Sequence, residues 1–136
     1  MDDAKRRHAI RAFALELPWA TEDHPWGDVT VVKVEKRDVE PPPWRRHLVH
    51  GPVFLWLGAP GTSTISVRLT TGADAARALA GAVPTTASGL GQWGWLDVRL
   101  SAVGLDLLCD WVEESYRNVA PKKLVRRLDE RGGPPH

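Results

Sequence analysis

The sequence predicts an α+β fold: two layers, with a mostly antiparallel five-stranded sheet and elements in the order α-βββ-α-ββ-α-α. Three observations predict it. Short β-branched runs, Val29–Val34, Val53–Leu57 and Thr64–Leu69, have the composition of strands. Residues 3–17, 73–82 and 104–119 instead repeat apolar side chains at helical spacing. The strands fall into a run of three and a run of two with a single helix between, and short connections favour antiparallel neighbours over crossovers.

Each element has its local reason. Ile10, Phe13, Ala14 and Leu17 line one face of the first helix, and Pro18 ends it by driving the preceding residue out of the helical region. Thr21–Gly27 is acidic and rich in turn residues, and reads as a turn. Residues 35–52 contain three consecutive prolines that cannot sit inside a sheet, so they read as a long loop. Gly58-Ala59-Pro60-Gly61-Thr62 is a hairpin turn. Thr71 stands where a cap for helix 73–82 is needed. Pro84–Ser88 reads as a short strand, Gly89-Leu90-Gly91 as a turn, and Trp93–Leu100 as the fifth strand. Leu105, Leu108, Cys109, Val112, Tyr116 and Val119 form the stripe of the longest helix, and Pro121 opens a short last one. Residues 1–131 thus make one domain and 132–136 a frayed tail.

The chain has 136 residues, 43% hydrophobic and 26% charged, enough for a core without disulfides or metal. A net charge of +1 excludes a protein that acts through overall charge, leaving room only for a local basic patch. One cysteine, Cys109, excludes an internal disulfide and any cysteine-rich zinc site, and its place in the apolar stripe reads as a small buried thiol. Residues 1–10 lack the apolar segment of a signal peptide, and no apolar run approaches the roughly 20 residues of a membrane span. The expectation is a cytoplasmic protein without membrane contact or cofactor.

Alternation divides the strands into two sets. Val32, Val34, Val53, Leu55, Leu57, Ile65, Val67, Leu69, Leu96, Val98 and Leu100 are all aliphatic and belong under the helices. Val29, Val31, Lys33, Phe54, Trp56, Ser66, Arg68, Trp93, Trp95, Asp97 and Arg99 belong on the other face. Its core residues, Phe54, Trp56, Trp93 and Trp95 with Lys33, Arg68 and Arg99, form a candidate interaction face. Parity predicts that Trp56, Trp93 and Trp95 lie close together, with Arg68 or Arg99 near a ring. The alternative is that residues 35–52, with Trp44, or the N-terminal helix cover this face.

From Arg117 to Arg131 six basic residues meet two acidic ones, a local +4 that leaves −3 for the rest of the chain. Arg117, Lys122, Lys123, Arg126 and Arg127 are therefore the candidate nucleic-acid contacts; 122/126 and 123/127 run alongside one another while Leu124, Val125 and Leu128 point inward. The alternative is an ordinary solvated helix face. Glu22 and Asp23 beside Trp26 have the residue types of an acid/base pair. No histidine or nucleophile at a suggestive spacing joins them, so Trp26 reads as a core plug. His47 and His50 have no third ligand, so no metal is expected there. Gly58–Thr64 lacks the lysine of a phosphate loop, and Ser115 has no histidine nearby, so no catalytic residue is expected.

Leu17-Pro18-Trp19-Ala20-Thr21-Glu22-Asp23-His24-Pro25-Trp26-Gly27, Gly89-Leu90-Gly91-Gln92-Trp93-Gly94-Trp95-Leu96-Asp97-Val98 and Glu113-Glu114-Ser115-Tyr116-Arg117-Asn118-Val119-Ala120-Pro121-Lys122-Lys123-Leu124 occur in this order. Together they resemble the MmcQ/YjbR family of small bacterial proteins across residues 9–130. The match is weak over 35–62, where a proline-rich stretch stands in place of a glycine-containing turn. The resemblance implies a two-layer fold akin to secretion chaperones, frataxin and "double wing" DNA-binding domains, no catalytic motif, and DNA binding in which Lys122 and Lys123 match the family's basic ending. Frataxin-like iron binding does not carry over, because the first helix bears Lys5, Arg6, Arg7 and Arg11 where carboxylates are needed. Two expectations of different class result: DNA binding through the last helix, or a homodimer or protein partner on the aromatic sheet face.

Overall fold

A computed structural model describes residues 2–35 and 52–131. The expectations for the 35–52 loop, Trp44, His47, His50 and the tail at 132–136 therefore lie outside the described residues, apart from positions 35 and 52. The side chain of Trp26, and with it the core-plug reading, is likewise outside them.

The elements are α1 (Asp3–Leu15), β1 (Ala20–Trp26), β2 (Val29–Val34), β3 (Val53–Gly58), β4 (Thr64–Arg68), α2 (Ala73–Ala80), β5 (Val83–Pro84), a 3-10 helix (Ala87–Trp93), β6 (Trp95–Arg99), α3 (Leu105–Val119) and α4 (Lys122–Glu130). Among the described residues, six strands form one sheet in the order β1-β2-β3-β4-β6-β5, with every pair antiparallel. The expected count of five is corrected at Thr21–Gly27, where all but Gly27 belongs to strand β1 and only Gly27 stands in the turn to β2. As the outermost strand β1 tolerates polar residues and a proline: Pro25 lies where its register with β2 shifts, so its missing N–H breaks no ladder bond.

The aliphatic strand set packs beneath α1 and α3. Leu55, Val67 and Val98 are fully buried with Leu108 and Val112 of α3, as strand parity predicts. One member of each set changes face at β3. β3 has one residue more than β2 between the pairs Val32↔Leu55 and Lys33↔Val53, a bulge at Phe54. Phe54 therefore turns into the core, its ring edge-on to Tyr116 at 5.1 Å, and Val53 leaves it for the row of Lys33. Parity alone assigned both wrongly, because an inserted residue reverses the alternation beyond it.

The bulge has a partner on α3. Continuing the Leu55↔Val67 register would set the Phe54 carbonyl against the Arg68 amide. Instead the Ser115 hydroxyl stands between them, accepting from Arg68 N at 2.8 Å and donating to Phe54 O at 2.6 Å. Asn118 Nδ2 donates to Arg68 O at 2.8 Å, and Glu114 Oε2 accepts from Thr70 N at 2.7 Å and Gly72 N at 3.1 Å. Glu114, not Thr71, thus satisfies the amides leading into α2; Thr71 donates its own hydroxyl to Glu114 Oε1 at 3.1 Å. A Cβ at position 72 would meet Glu114 Oε1 at 2.7 Å, so glycine there lets the carboxylate approach these amides without shifting.

Beyond α2, the expected strand at Pro84–Ser88 is only Val83–Pro84, and the glycine turn is the 3-10 helix. Gly91 lets that helix lie against β5: a Cβ there would meet Pro84 Cβ and Thr85 O at 2.8 Å. The last strand begins at Trp95, not Trp93, because Trp93 closes the 3-10 helix and Gly94 turns the chain with φ 93°.

Candidate nucleic-acid interface

α4 starts directly after Pro121 and buries Leu124 and Leu128, leaving Lys122, Lys123, Arg126 and Arg127 exposed. Its two basic ridges are not equivalent. Lys123 Nζ lies 4.9 Å and Arg127 Cζ 5.7 Å from the ring centroid of Trp19, whereas Lys122 and Arg126 form no ion pair among the described residues. Arg117, expected beside them, is held on α3 by Asp129 at 2.9 Å and Glu113 at 3.6 Å, so its charge is already matched.

Trp19 is the contact that sequence reading missed. Leu17 O accepts from Ala20 N at 3.0 Å, so Pro18 and Trp19 are the central residues of a β-turn. Trp19 has φ 59°, at the position where such a turn ordinarily takes glycine. A left-handed conformation costs a residue with a Cβ about 1–2 kcal/mol. The surroundings hold it there: buried Tyr116 donates its hydroxyl to Pro18 O at 2.7 Å, Glu35 N donates to Trp19 O at 2.8 Å, and Arg131 donates to Glu16 O at 2.9 Å. Burial, against the weaker pull of Arg131, Arg117 and Arg127, pushes the Tyr116 phenol up to about 12. The signal available in sequence was the placement of a proline before a bulky residue in a turn, which does not by itself reveal φ.

The open face of the sheet is organised differently from the expectation. Trp56, Ser66, Asp97 and Val83 form one register row, and Arg68 and Trp95 the next, so Trp56 and Trp95 share a face but are not neighbours. Trp93 stands off the strand, 62% exposed, its carbonyl accepting from Arg68 Nε at 2.9 Å. Trp95 is buried, Trp56 half-buried and Arg99 exposed. Lys33 is only 3% exposed and salt-bridged to Asp23 at 2.5 Å, so it is no surface cation. The β5–β6 side of this face carries a carboxylate: Asp97 Oδ1 accepts from Ser66 Oγ at 2.6 Å and Thr85 Oγ1 at 2.7 Å.

The arginines of α1 are also engaged. Arg6 donates to Leu100 O and Val103 O at 3.0 and 2.6 Å, and Arg7 to Leu57 O and Gly58 O at 3.3 and 2.9 Å. Arg11 pairs with Glu22, and His24, which sequence spacing did not connect to that carboxylate, bonds Glu22 Oε2 through Nε2 at 2.7 Å. Its Nδ1 is 3.4 Å from Thr30 Oγ1. Thr30 is 6% exposed, so the set braces the edge of the sheet and offers no accessible nucleophile. Cys109 is half-buried, and burial with Asp106 and Asp110 pushes its thiol up, away from the thiolate a nucleophile requires. Among the described residues no group of three or more His, Cys, Asp or Glu could hold a metal ion, and no helix is long and apolar enough to cross a membrane.

No family model matches the sequence, and no curated protein matches it significantly. Among solved structures, the chain is similar to the crystal structure of Deinococcus radiodurans protein DR2400, which carries a DUF419 domain. The likeness covers 93% of this chain and 88% of that one, with a TM-score of 0.63 and 18% identity. At that identity it is a likeness of fold.

Glu22 gives the edge cluster a pH dependence. Burial raises its carboxyl, but the Arg11 guanidinium and the His24 imidazole outweigh burial and hold it below the usual 4.5. A lowered folded-state value contributes stability above the unfolded value and loses it as pH falls through the folded one. Urea midpoints should therefore fall more steeply with acid in the wild type than in Glu22→Gln below about pH 4.5, the ordinary value of that carboxyl. Parallel curves would show that the cluster carries no folding linkage.

Proposed function

We propose that this chain is a small, non-enzymatic, cytoplasmic binding protein of MmcQ/YjbR type that holds nucleic acid through the phosphates facing α4. The observation that carries the reading is the exposure of four cations, Lys122, Lys123, Arg126 and Arg127, on one nine-residue helix of a chain whose net charge is only +1. Phosphate contacts need no more than such a ridge, and they confer position without sequence preference. The sheet face suits this role less well, because the Asp97 carboxylate on it repels phosphate. The DUF419 fold of the structural neighbour is in keeping with the family type.

A second reading rests on a different surface. Trp93 is 62% and Val83 55% exposed at the β5–β6 edge, and an apolar edge of this kind suits a protein partner or a second copy of the chain. Light scattering at micromolar concentration should then give a dimer that Trp93→Ser converts to monomer; a monomeric wild type removes the self-association form of this reading.

For the nucleic-acid reading, fluorescence anisotropy with labelled DNA should give affinity that falls steeply with salt and varies little with sequence. Lys122→Ala/Arg126→Ala should flatten the log–log salt slope by about two units, roughly 0.9 per lost duplex phosphate contact. No binding to single- or double-stranded DNA at low salt would defeat it.

A further inference from the structure

Trp19 combines two features that do not ordinarily occur together. Its backbone lies at φ 59° in a turn position where glycine would cost least, yet the position carries the largest side chain available. A residue kept in an unfavourable conformation is kept for its side chain, and the Trp19 side chain carries Lys123 and Arg127. The ring is itself only half-buried, so its contribution is not simply core.

Building on the nucleic-acid reading above, we infer that Trp19 is a positioning residue that pre-orders Lys123 and Arg127 for backbone phosphates. Long basic side chains lose rotamer freedom when they bind, and part of that loss is already met when both rest on a ring in the free protein. A cation on an aromatic face keeps its N–H groups available at its outer edge, so it meets a phosphate oxygen without leaving the ring. The two ridges of α4 then divide the work. Lys122 and Arg126 reach phosphates as free side chains, and Lys123 and Arg127 as a fixed pair one helical turn apart. The ligand class follows from the same contact. A base would have to displace two cations to stack on Trp19, so recognition is of the phosphate backbone, without a base-stacking contribution from this ring.

Trp19→Gly separates the side chain from the backbone, because glycine fits φ 59° without strain while the ring is lost. Anisotropy titrations at low salt should show Trp19→Gly binding DNA about three- to ten-fold more weakly than wild type. Trp19→Tyr should recover most of the affinity, and the thermal midpoint of each variant serves as the control for folding. The deciding comparison is the double-mutant cycle: in a Lys123→Ala/Arg127→Ala background, Trp19→Gly should have no further effect on binding. Wild-type affinity in Trp19→Gly, or a loss that persists undiminished in that background, would overturn the positioning role while leaving the phosphate-binding reading standing. Failure of the wild type to bind DNA at all would defeat the phosphate-binding reading itself, and this role with it.

Discussion

The structure depends on one hydroxyl in its interior. Ser115 lies on the buried side of α3 and completes a strand–strand bond that the bulge at Phe54 leaves open. Without it, a backbone carbonyl and a backbone amide would lose their partners where water has little access, at about 1–3 kcal/mol for each unsatisfied group. The neighbouring residues continue the same task outward: Tyr116 fixes the turn at Pro18, Asn118 holds Arg68 O, and Glu114 receives the amides that begin α2. Helix and sheet are thus joined by polar bonds of fixed geometry as well as by apolar contact, which sets the position of the two layers relative to each other.

This joining changes the meaning of the Glu-Glu-Ser-Tyr-Arg-Asn segment. Carboxylate, hydroxyl, phenol and amide side chains in sequence suggest chemistry, yet here each is consumed by backbone groups of other elements or by an ion pair. Arg6 and Arg7 of α1 are consumed in the same way by carbonyls at Leu57, Gly58, Leu100 and Val103, and Arg11 by the Glu22 carboxylate. Among the described residues, the α4 ridge with Trp19 beside it and the exposed edge around Trp93 remain available at the surface.

Much of the fold was legible from side-chain period. Aliphatic residues at every second position located the buried sheet face, and the stripe from Leu105 to Val119 located the helix that covers it. The readings that failed share a cause: a pairing, an inserted residue or a backbone conformation that side-chain period does not record. Strand β1 is polar and contains Pro25, and only its pairing with β2 makes it a strand. Phe54 turns inward because of one inserted residue, and Trp93 leaves the last strand because Gly94 adopts a positive φ. Of the candidate site, α4 was legible as a local excess of charge. The division of its cations was not, since it depends on a tryptophan about a hundred positions earlier in the chain.

Hydrogen exchange at the Arg68 amide tests the role of Ser115 most directly. In the wild type this amide should exchange as slowly as those of the central strands, because its acceptor is the buried Ser115 hydroxyl. In Ser115→Ala its protection should fall well below that of Val67 and Val98, which keep their ladder environment. An Arg68 amide that stays as protected as its strand neighbours in the variant would contradict the account, since the sheet would then close without the helix.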